Sequence, residues 1–375
     1  MGWKTIRKNG TNIDKRNLKH MNVLIDIGHP AHVHLFRNFA NELVRKGHSV
    51  LFSVRKKESN IELLQNYGFK YFQYGYSDTN VLLKILSVIK KNIALAKIFR
   101  HFQPNITISH GSFYLSQVSW YYNIPNITLE DTGNLEQVWL YLPFTRVVLT
   151  PKSYHRNHGR KQITYSGFHE LAYLHPKRFN PANVKLLKGS EVASKPVILI
   201  RLVSWSASHD LGHRGLNKNL LKLIVESFDK RAFIMISSEK ELDDEFLKYK
   251  LNIQPHKIHE ILANLTLYIG EGATMASECA VLGVPAIYIN TLQAGTINGF
   301  EQANLLFHLI DETSVLKKIE EILITENSQI IYKSLANKFL YDKIDLTGFL
   351  VWFVENYPES VSTMKANPES QTQFK

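Results

Sequence analysis

The sequence predicts an α/β protein built from two doubly wound parallel sheets. Three observations lead there. Short apolar runs of strand length alternate with segments of helical periodicity. The alternation pauses near residue 176 and resumes at 197. The length, 375 residues, exceeds what one simple core needs and suits two domains.

Residues 22–27, Asn-Val-Leu-Ile-Asp-Ile, read as a short buried strand. A helical pattern follows over 33–46, with Leu35, Phe36, Phe39, Leu43 and Val44 on one face. Gly47 ends it, and 50–54 reads as the next strand. The rhythm continues with helix 58–66, strand 69–73, helix 81–102, strand 106–109, helix 113–122 and strand 126–129. Residues 176–195 hold Pro176, Pro181, Gly189, Ser190 and Ser194 and read as a linker. The second unit has strands 197–202, 232–236, 266–269 and 285–289, with helices 217–229, 239–248, 257–263 and 274–282. Further helices are expected over 301–308, 313–323 and 329–356, the last broken around Asp345.

These elements divide the chain into a basic extension (1–20), an N-terminal domain (21–180) and a C-terminal domain (190–340). A final helix (341–358) is expected to pack back on the N-terminal domain, and a polar tail (359–375) to be disordered. Ligands of open α/β sheets bind outside the carboxyl ends of the strands, so the loops after strands carry the functional search.

Composition excludes several classes. Apolar residues are 44% and charged residues 21%, which rules out wholesale disorder. One cysteine, Cys279, rules out an intramolecular disulfide and a four-cysteine zinc site. No apolar run reaches the ~20 residues a membrane span needs, and the first twenty residues lack a signal-peptide core, so a cytoplasmic protein is expected. Residues 1–180 hold 25 basic and 10 acidic side chains, and residues 181–375 hold 20 and 23. The surplus in the first half points to an anionic partner. Helix 81–102 is basic and apolar and suits contact with an anionic membrane, or a core helix with a solvated lysine face. No helix-turn-helix, zinc or RNA-binding signature supports a nucleic-acid partner.

Four loops carry chemistry. Gly270-Glu271-Gly272 leads from a strand into a helix whose first amides, at Ala273, Thr274 and Met275, can face a diphosphate. Glu278 lies one turn on, where a carboxylate can accept from a ribose diol; a plain strand–turn–helix is the competing reading. His29, His32 and His34 crowd behind the first strand, suited to general base or phosphate contact. No carboxylate or cysteine nearby completes a metal set, so no metal and no cofactor are expected. His110, Ser112, Glu130 and Asp131 end two middle strands. Arg201, His209, Asp210, His213 and Arg214 crowd the loop after the strand at 197–202, where arginine can hold a diphosphate.

The run Gly272-Ala273-Thr274, Glu278 and Leu282-Gly283-Val284-Pro285 resembles the donor-nucleotide motif of GT-B glycosyltransferases. It is similar to the enzyme that adds N-acetylglucosamine to lipid-linked muramyl-pentapeptide, and to UDP-N-acetylglucosamine 2-epimerases. The wording of the 200–217 loop looks closest to an uncharacterised family classed with them, covering residues 21–355. The resemblance implies two Rossmann-like domains facing a cleft. It implies ribose binding by Glu278, diphosphate binding at Ala273–Met275 and by Arg214, and donor-sugar contact by Gln302 in Glu301-Gln302-Ala303-Asn304. Gly295-Thr296 could correspond to an epimerase segment. His32, with His29 second, is implied in the cleft. Glu130 matches an epimerase glutamate, but Ser112 stands where the epimerases carry a catalytic aspartate.

The expectation is therefore a metal-independent, inverting-type glycosyltransferase. It would move a sugar from a nucleoside diphosphate, UDP favoured, to a cell-surface polysaccharide or lipid-linked acceptor. His32 or Glu130 would assist deprotonation. The alternatives are a 2-epimerase-like isomerase and a non-catalytic nucleotide- or nucleic-acid-binding protein.

Overall fold

Seven strands form the first sheet: β1 (Asn22–Ile27), β2 (Ser49–Lys56), β3 (Tyr71–Tyr76), β4 (Ile106–His110), β5 (Asn126–Leu129), β6 (Val147–Pro151) and β7 (Gln162–Tyr165). Their order is β3-β2-β1-β4-β5-β6-β7, and every pairing is parallel. The computed structural model describes residues 20–56, 59–76, 81–132, 135–180, 195–203, 215–291 and 297–375. Val23, Leu24, Ile25 and Ile27 are fully buried, as a parallel strand covered on both faces demands. The crossovers are α1 (Pro30–Arg45), α2 (Asn60–Asn66), α3 (Val81–Phe102), α4 (Phe113–Tyr121) and α5 (Leu135–Tyr141), with the short α6 (Leu171–Leu174) after β7. Helix α1 starts three residues before the sequence expectation. Pro30 at its first turn is pre-set for a helix, and His29 caps it by accepting from Ala31 N. The expectation stopped at 129 and missed β6 and β7, two short strands separated by an irregular segment.

The second sheet has β8 (Val197–Leu202), β9 (Phe233–Ser238), β10 (Leu267–Gly270), β11 (Ala286–Tyr288) and β12 (Leu306–His308) in the order β12-β11-β10-β8-β9, again parallel. Its helices are α7 (Lys218–Phe228), α8 (Ile258–Leu262), α9 (Ala273–Val281), α10 (Asn298–Gln302), α11 (Glu312–Ile324) and α12 (Ser328–Leu340). Two expectations fail here. The sequence predicts an α-helix over 239–248, but only Asp244–Tyr249 coil, as a 3-10 helix. Residues 301–308 were read as one helix. Asn304 takes a left-handed φ of 56° and ends that turn, freeing Leu306–His308 to pair with β11. Gly283 closes α9 with φ +74°, and a Cβ there would lie 2.8 Å from the Lys333 Cα in α12. The glycine of Leu-Gly-Val-Pro thus serves a turn and a close helix approach.

Helix α13 (Leu346–Glu355) lies against α1. Lys46 and His48 bond Glu355, and Thr347 Oγ1 donates to the Ala172 carbonyl. Residues 359–374 differ from the disordered tail expected. They form α14 (Glu359–Ala366) and a 3-10 helix at Pro368–Phe374. The cause is burial: Met364 and Gln371 are 2% and 1% exposed, and Gln371 accepts from Ser166 N. One continuous apolar cluster runs from α1 and α6 through α13 into the second sheet. The two domains also touch through Phe168 and Phe300, whose rings are 4.8 Å apart.

Candidate functional site

The carboxyl ends of the first sheet gather polar side chains from four separate loops. His29 and His32 follow β1, His110 closes β4, Glu130 and Asp131 follow β5, and His169 and Glu170 follow β7. Asp131 stands between two imidazoles. His110 Nε2 is 2.9 Å from its Oδ1 and His169 Nδ1 is 2.8 Å from its Oδ2. Burial opposes ionisation of Asp131, but His169 and His110 outweigh it and hold the carboxyl well below its usual range. Burial likewise opposes charging His110, and Asp131 overcomes it, raising that imidazole.

His32 sits beside this group, its ring 4.6 Å from that of His110 and 5.9 Å from that of His29. Burial, then the neighbouring His110, push its pKa well below normal, so it is neutral. The Gly28 N–H donates to Nδ1 at 3.3 Å. The ring proton therefore resides on Nε2, which makes that nitrogen a donor. In this tautomer Nδ1 is taken by the Gly28 N–H, which speaks against the base role expected for His32. His29 is exposed and occupied in capping α1.

Glu130 is 1% exposed and fully engaged: Oε1 accepts from Thr132 N and Oγ1 at 2.8 and 2.7 Å, and Oε2 from Tyr141 OH at 2.8 Å. Such a carboxylate holds the turn after β5 and is not placed to meet an acceptor hydroxyl. Glu170, close enough to Asp131 to feel its charge, was missed by the sequence reading. It lies at the head of α6 without a capping bond, and burial together with Asp131 push its pKa to about 8. The available signal was a glutamate beside a histidine just beyond a strand, which an unrecognised β7 concealed.

Ser112 is 6% exposed and donates to Asp26 Oδ2 at 2.6 Å while capping α4. Asp26 is fully buried and also accepts from Ser53 at 2.6 Å and Tyr74 at 3.0 Å. Burial raises its pKa against the pull of Arg55 and the three hydroxyls. So a carboxylate does stand beside position 112, supplied by β1. Asp26 in the middle of an apolar strand was its sequence signal. Gly28 is small because Arg55 passes over it: a Cβ would lie 2.6 Å from Nη2.

On the opposite wall, α9 opens at Gly272 with no side-chain cap, and Gly272 to Met275 are partly or fully exposed. Glu278 is 4% exposed. Its Oε1 accepts from Tyr173 OH at 2.7 Å and meets His259 Nε2 at 3.0 Å. Tyr173 belongs to α6, so Glu278 is clasped by the first domain. His34 joins this junction, its ring 4.5 Å from that of His259. Glu271 was not singled out by the sequence reading. It is 4% exposed and accepts from Val203 N and Leu216 N, both at 2.8 Å. It therefore ties Val203 to Leu216. His209, Asp210, His213 and Arg214 lie outside the described residues, as do Gly295 and Thr296. Arg201 is committed elsewhere, donating to Ser237 Oγ and Glu239 Oε1 at 2.7 Å each. Gln302 is exposed at the end of α10.

A sequence model of the family described as protein of unknown function (DUF354) matches residues 21–358. An uncharacterised protein of Methanocaldococcus jannaschii is 26% identical over 280 residues, 71% of this chain and 81% of that protein. Among solved structures, Staphylococcus aureus MnaA in complex with UDP superposes with a TM-score of 0.68 at 13% identity, covering 91% of this chain and 98% of that one. A UDP-N-acetylglucosamine 2-epimerase of Neisseria meningitidis, bound to UDP-GlcNAc, gives 0.60 at 16% identity, over 84% and 94%. The kitacinnamycin glycosyltransferase gives 0.61 at 10% identity, over 90% and 99%. At these identities the likeness is one of fold, and the fold is GT-B: two parallel α/β sheets flanked by helices.

Proposed function

The chain belongs to the DUF354 family, and from that premise we propose that it is a glycosyltransferase acting on a nucleoside-diphosphate sugar, UDP favoured. The observation that carries the reading is the pairing across the cleft. Glu278, in the second turn of a helix with an uncapped start, bonds Tyr173 of α6, and Glu170 at the head of α6 lies in the field of both Asp131 and Glu278. The first amides of α9 would hold the diphosphate, helped by Arg214. Glu278 would take the ribose diol in place of the Tyr173 hydroxyl. The acceptor oxygen would bond to the anomeric carbon as the bond from that carbon to the phosphate oxygen breaks. The nucleoside diphosphate would leave with the electron pair, and the acceptor proton would pass to Glu170 in its ionised form, whose share rises as pH climbs toward its pKa of about 8. His32 Nε2–H would donate to an oxygen in the cleft. Proton transfer by a positioned side chain is worth ~10²–10⁴-fold, so Glu170→Gln should lose at least ~100-fold in turnover while keeping donor affinity.

The acceptor is a saccharide or lipid-linked molecule. Ile89, Lys90, Ile93, Lys97 and Arg100 are exposed along α3, which supports peripheral contact with an anionic membrane. No helix among the described residues is long and apolar enough to cross one.

A second reading, a 2-epimerase-like isomerase, is favoured by the Asp26 carboxylate beside Ser112. Incubation with UDP-N-acetylglucosamine alone, followed by proton NMR, separates the two. A transferase leaves the sugar intact; an epimerase converts it to the manno isomer, which would overturn the transferase reading.

A further inference from the structure

We propose that His110, Asp131 and His169 form a binding site for one divalent first-row transition-metal ion in the cleft wall of the first domain. This goes beyond the transferase reading and does not rest on it. It also revises the expectation of no metal, which looked only at the run His29 to His34. The fold instead gathers histidines 59 positions apart around a carboxylate.

Three strand ends bring the set together, after β4, β5 and β7. One candidate ligand atom from each residue lies within 4.8 Å of the other two. The side chains are 12%, 18% and 9% exposed, so the group is sheltered yet reachable from the cleft. Two imidazoles and one carboxylate suit Zn²⁺, Fe²⁺ or Mn²⁺ better than the oxygen-seeking Mg²⁺ or Ca²⁺. Bonds of ~2.0–2.1 Å in a tetrahedral site set ligand atoms ~3.3 Å apart. The nitrogens stand 2.9 and 2.8 Å from different oxygens of Asp131, so the side chains must adjust for both to meet an ion held by that carboxylate. The far nitrogen of His169, Nε2, is buried with no hydrogen-bond partner. Its ring packs against those of His110 and Tyr165, so Asp131 and this packing hold Nδ1 toward the group. Glu130, locked by Thr132 and Tyr141, steadies the turn that carries Asp131. Such outer support orients ligating side chains. Three protein ligands leave a coordination position for water or a phosphate oxygen.

The test uses the full chain, stripped with a chelator and titrated calorimetrically with Zn²⁺ and, for its visible absorption, with Co²⁺. Wild type should take up one equivalent of either. Even changes behind the ligands cost 10–100-fold, so Asp131→Asn and His169→Ala should each weaken binding at least ~100-fold. Asp131→Asn keeps shape and one acceptor oxygen, so its circular dichroism and melting curve separate ligand loss from unfolding. His101→Ala, on the exposed end of α3, should bind as wild type. No stoichiometric uptake by folded wild type, or uptake unchanged in both variants, overturns the site.

Discussion

Replacing Tyr173 by phenylalanine should lower stability and tighten nucleotide binding at once. Tyr173 and Glu278 are 2% and 4% exposed, and their hydroxyl–carboxylate bond is 2.7 Å. A buried hydrogen bond to a charged group contributes ~1.5–3 kcal/mol. The carboxylate keeps His259 at 3.0 Å after the change, so the lower figure applies. At ~2.1 cal/mol/K per residue the 375-residue chain has an unfolding entropy of ~0.8 kcal/mol/K, so a loss of ~1.5 kcal/mol lowers the melting point by about 2 °C. If a ribose diol must displace that hydroxyl, the same ~1.5 kcal/mol no longer opposes the ligand. The UDP dissociation constant should then fall about tenfold. Isothermal titration with UDP and a thermal melt on one preparation read both quantities. A melting point that drops while UDP affinity stays constant or weakens would refute the reasoning, because Tyr173 would then not compete for Glu278.

Other outcomes follow from single features of the structure. Gly283→Ala should cost about 2 kcal/mol or more in a denaturant titration, since φ is +74° and the new methyl meets the Lys333 backbone at 2.8 Å. Glu271→Ala strands the Val203 and Leu216 amides, at ~1–3 kcal/mol each, and should weaken nucleotide binding while far-UV circular dichroism is retained. His34 is buried, and burial, then His259 and Arg37, depress its pKa below the unfolded value near 6.5. The unfolded chain thus binds its proton first. The stability contributed is fully present above pH ~6.5 and is lost as pH falls toward the depressed folded value, by ~1.4 kcal/mol per unit of depression. Melting points from pH 7.5 to 5 should show this loss in wild type and a shallower one in His34→Gln; equal slopes would assign the effect to other groups.

Much of the fold was legible because its signals are local. The buried run Asn22–Ile27, the apolar face of α1 and the glycine stops each identify an element by themselves. The strands β6 and β7 were not legible: they are short, and no helix of clear periodicity separates them. The tail beyond Ser360 is polar in composition, and its order comes from distant partners such as Ser166. The site divides in the same way. Gly272, Glu278 and His32 are legible as candidates because they follow strands that the pattern exposes. Glu170 and His169 follow β7 and were lost with it. The pairing of His110 with Asp131 and His169 is set by strand order, which a linear pattern does not contain. Nor could the sequence say that Glu278 is clasped by Tyr173, or that Arg201 turns to Ser237, because both contacts join segments far apart in the chain.

The central claim is that the cleft receives a nucleoside diphosphate at α9 and Glu278. The most direct measurement is thermal stabilisation by UDP, GDP, CDP, ADP and dTDP, on wild type and Glu278→Ala. A ligand at ~100 times its dissociation constant adds about 2.7 kcal/mol. UDP should raise the wild-type midpoint and leave that of Glu278→Ala unmoved. Silence from all five nucleotides, or an equal rise in the variant, would contradict it.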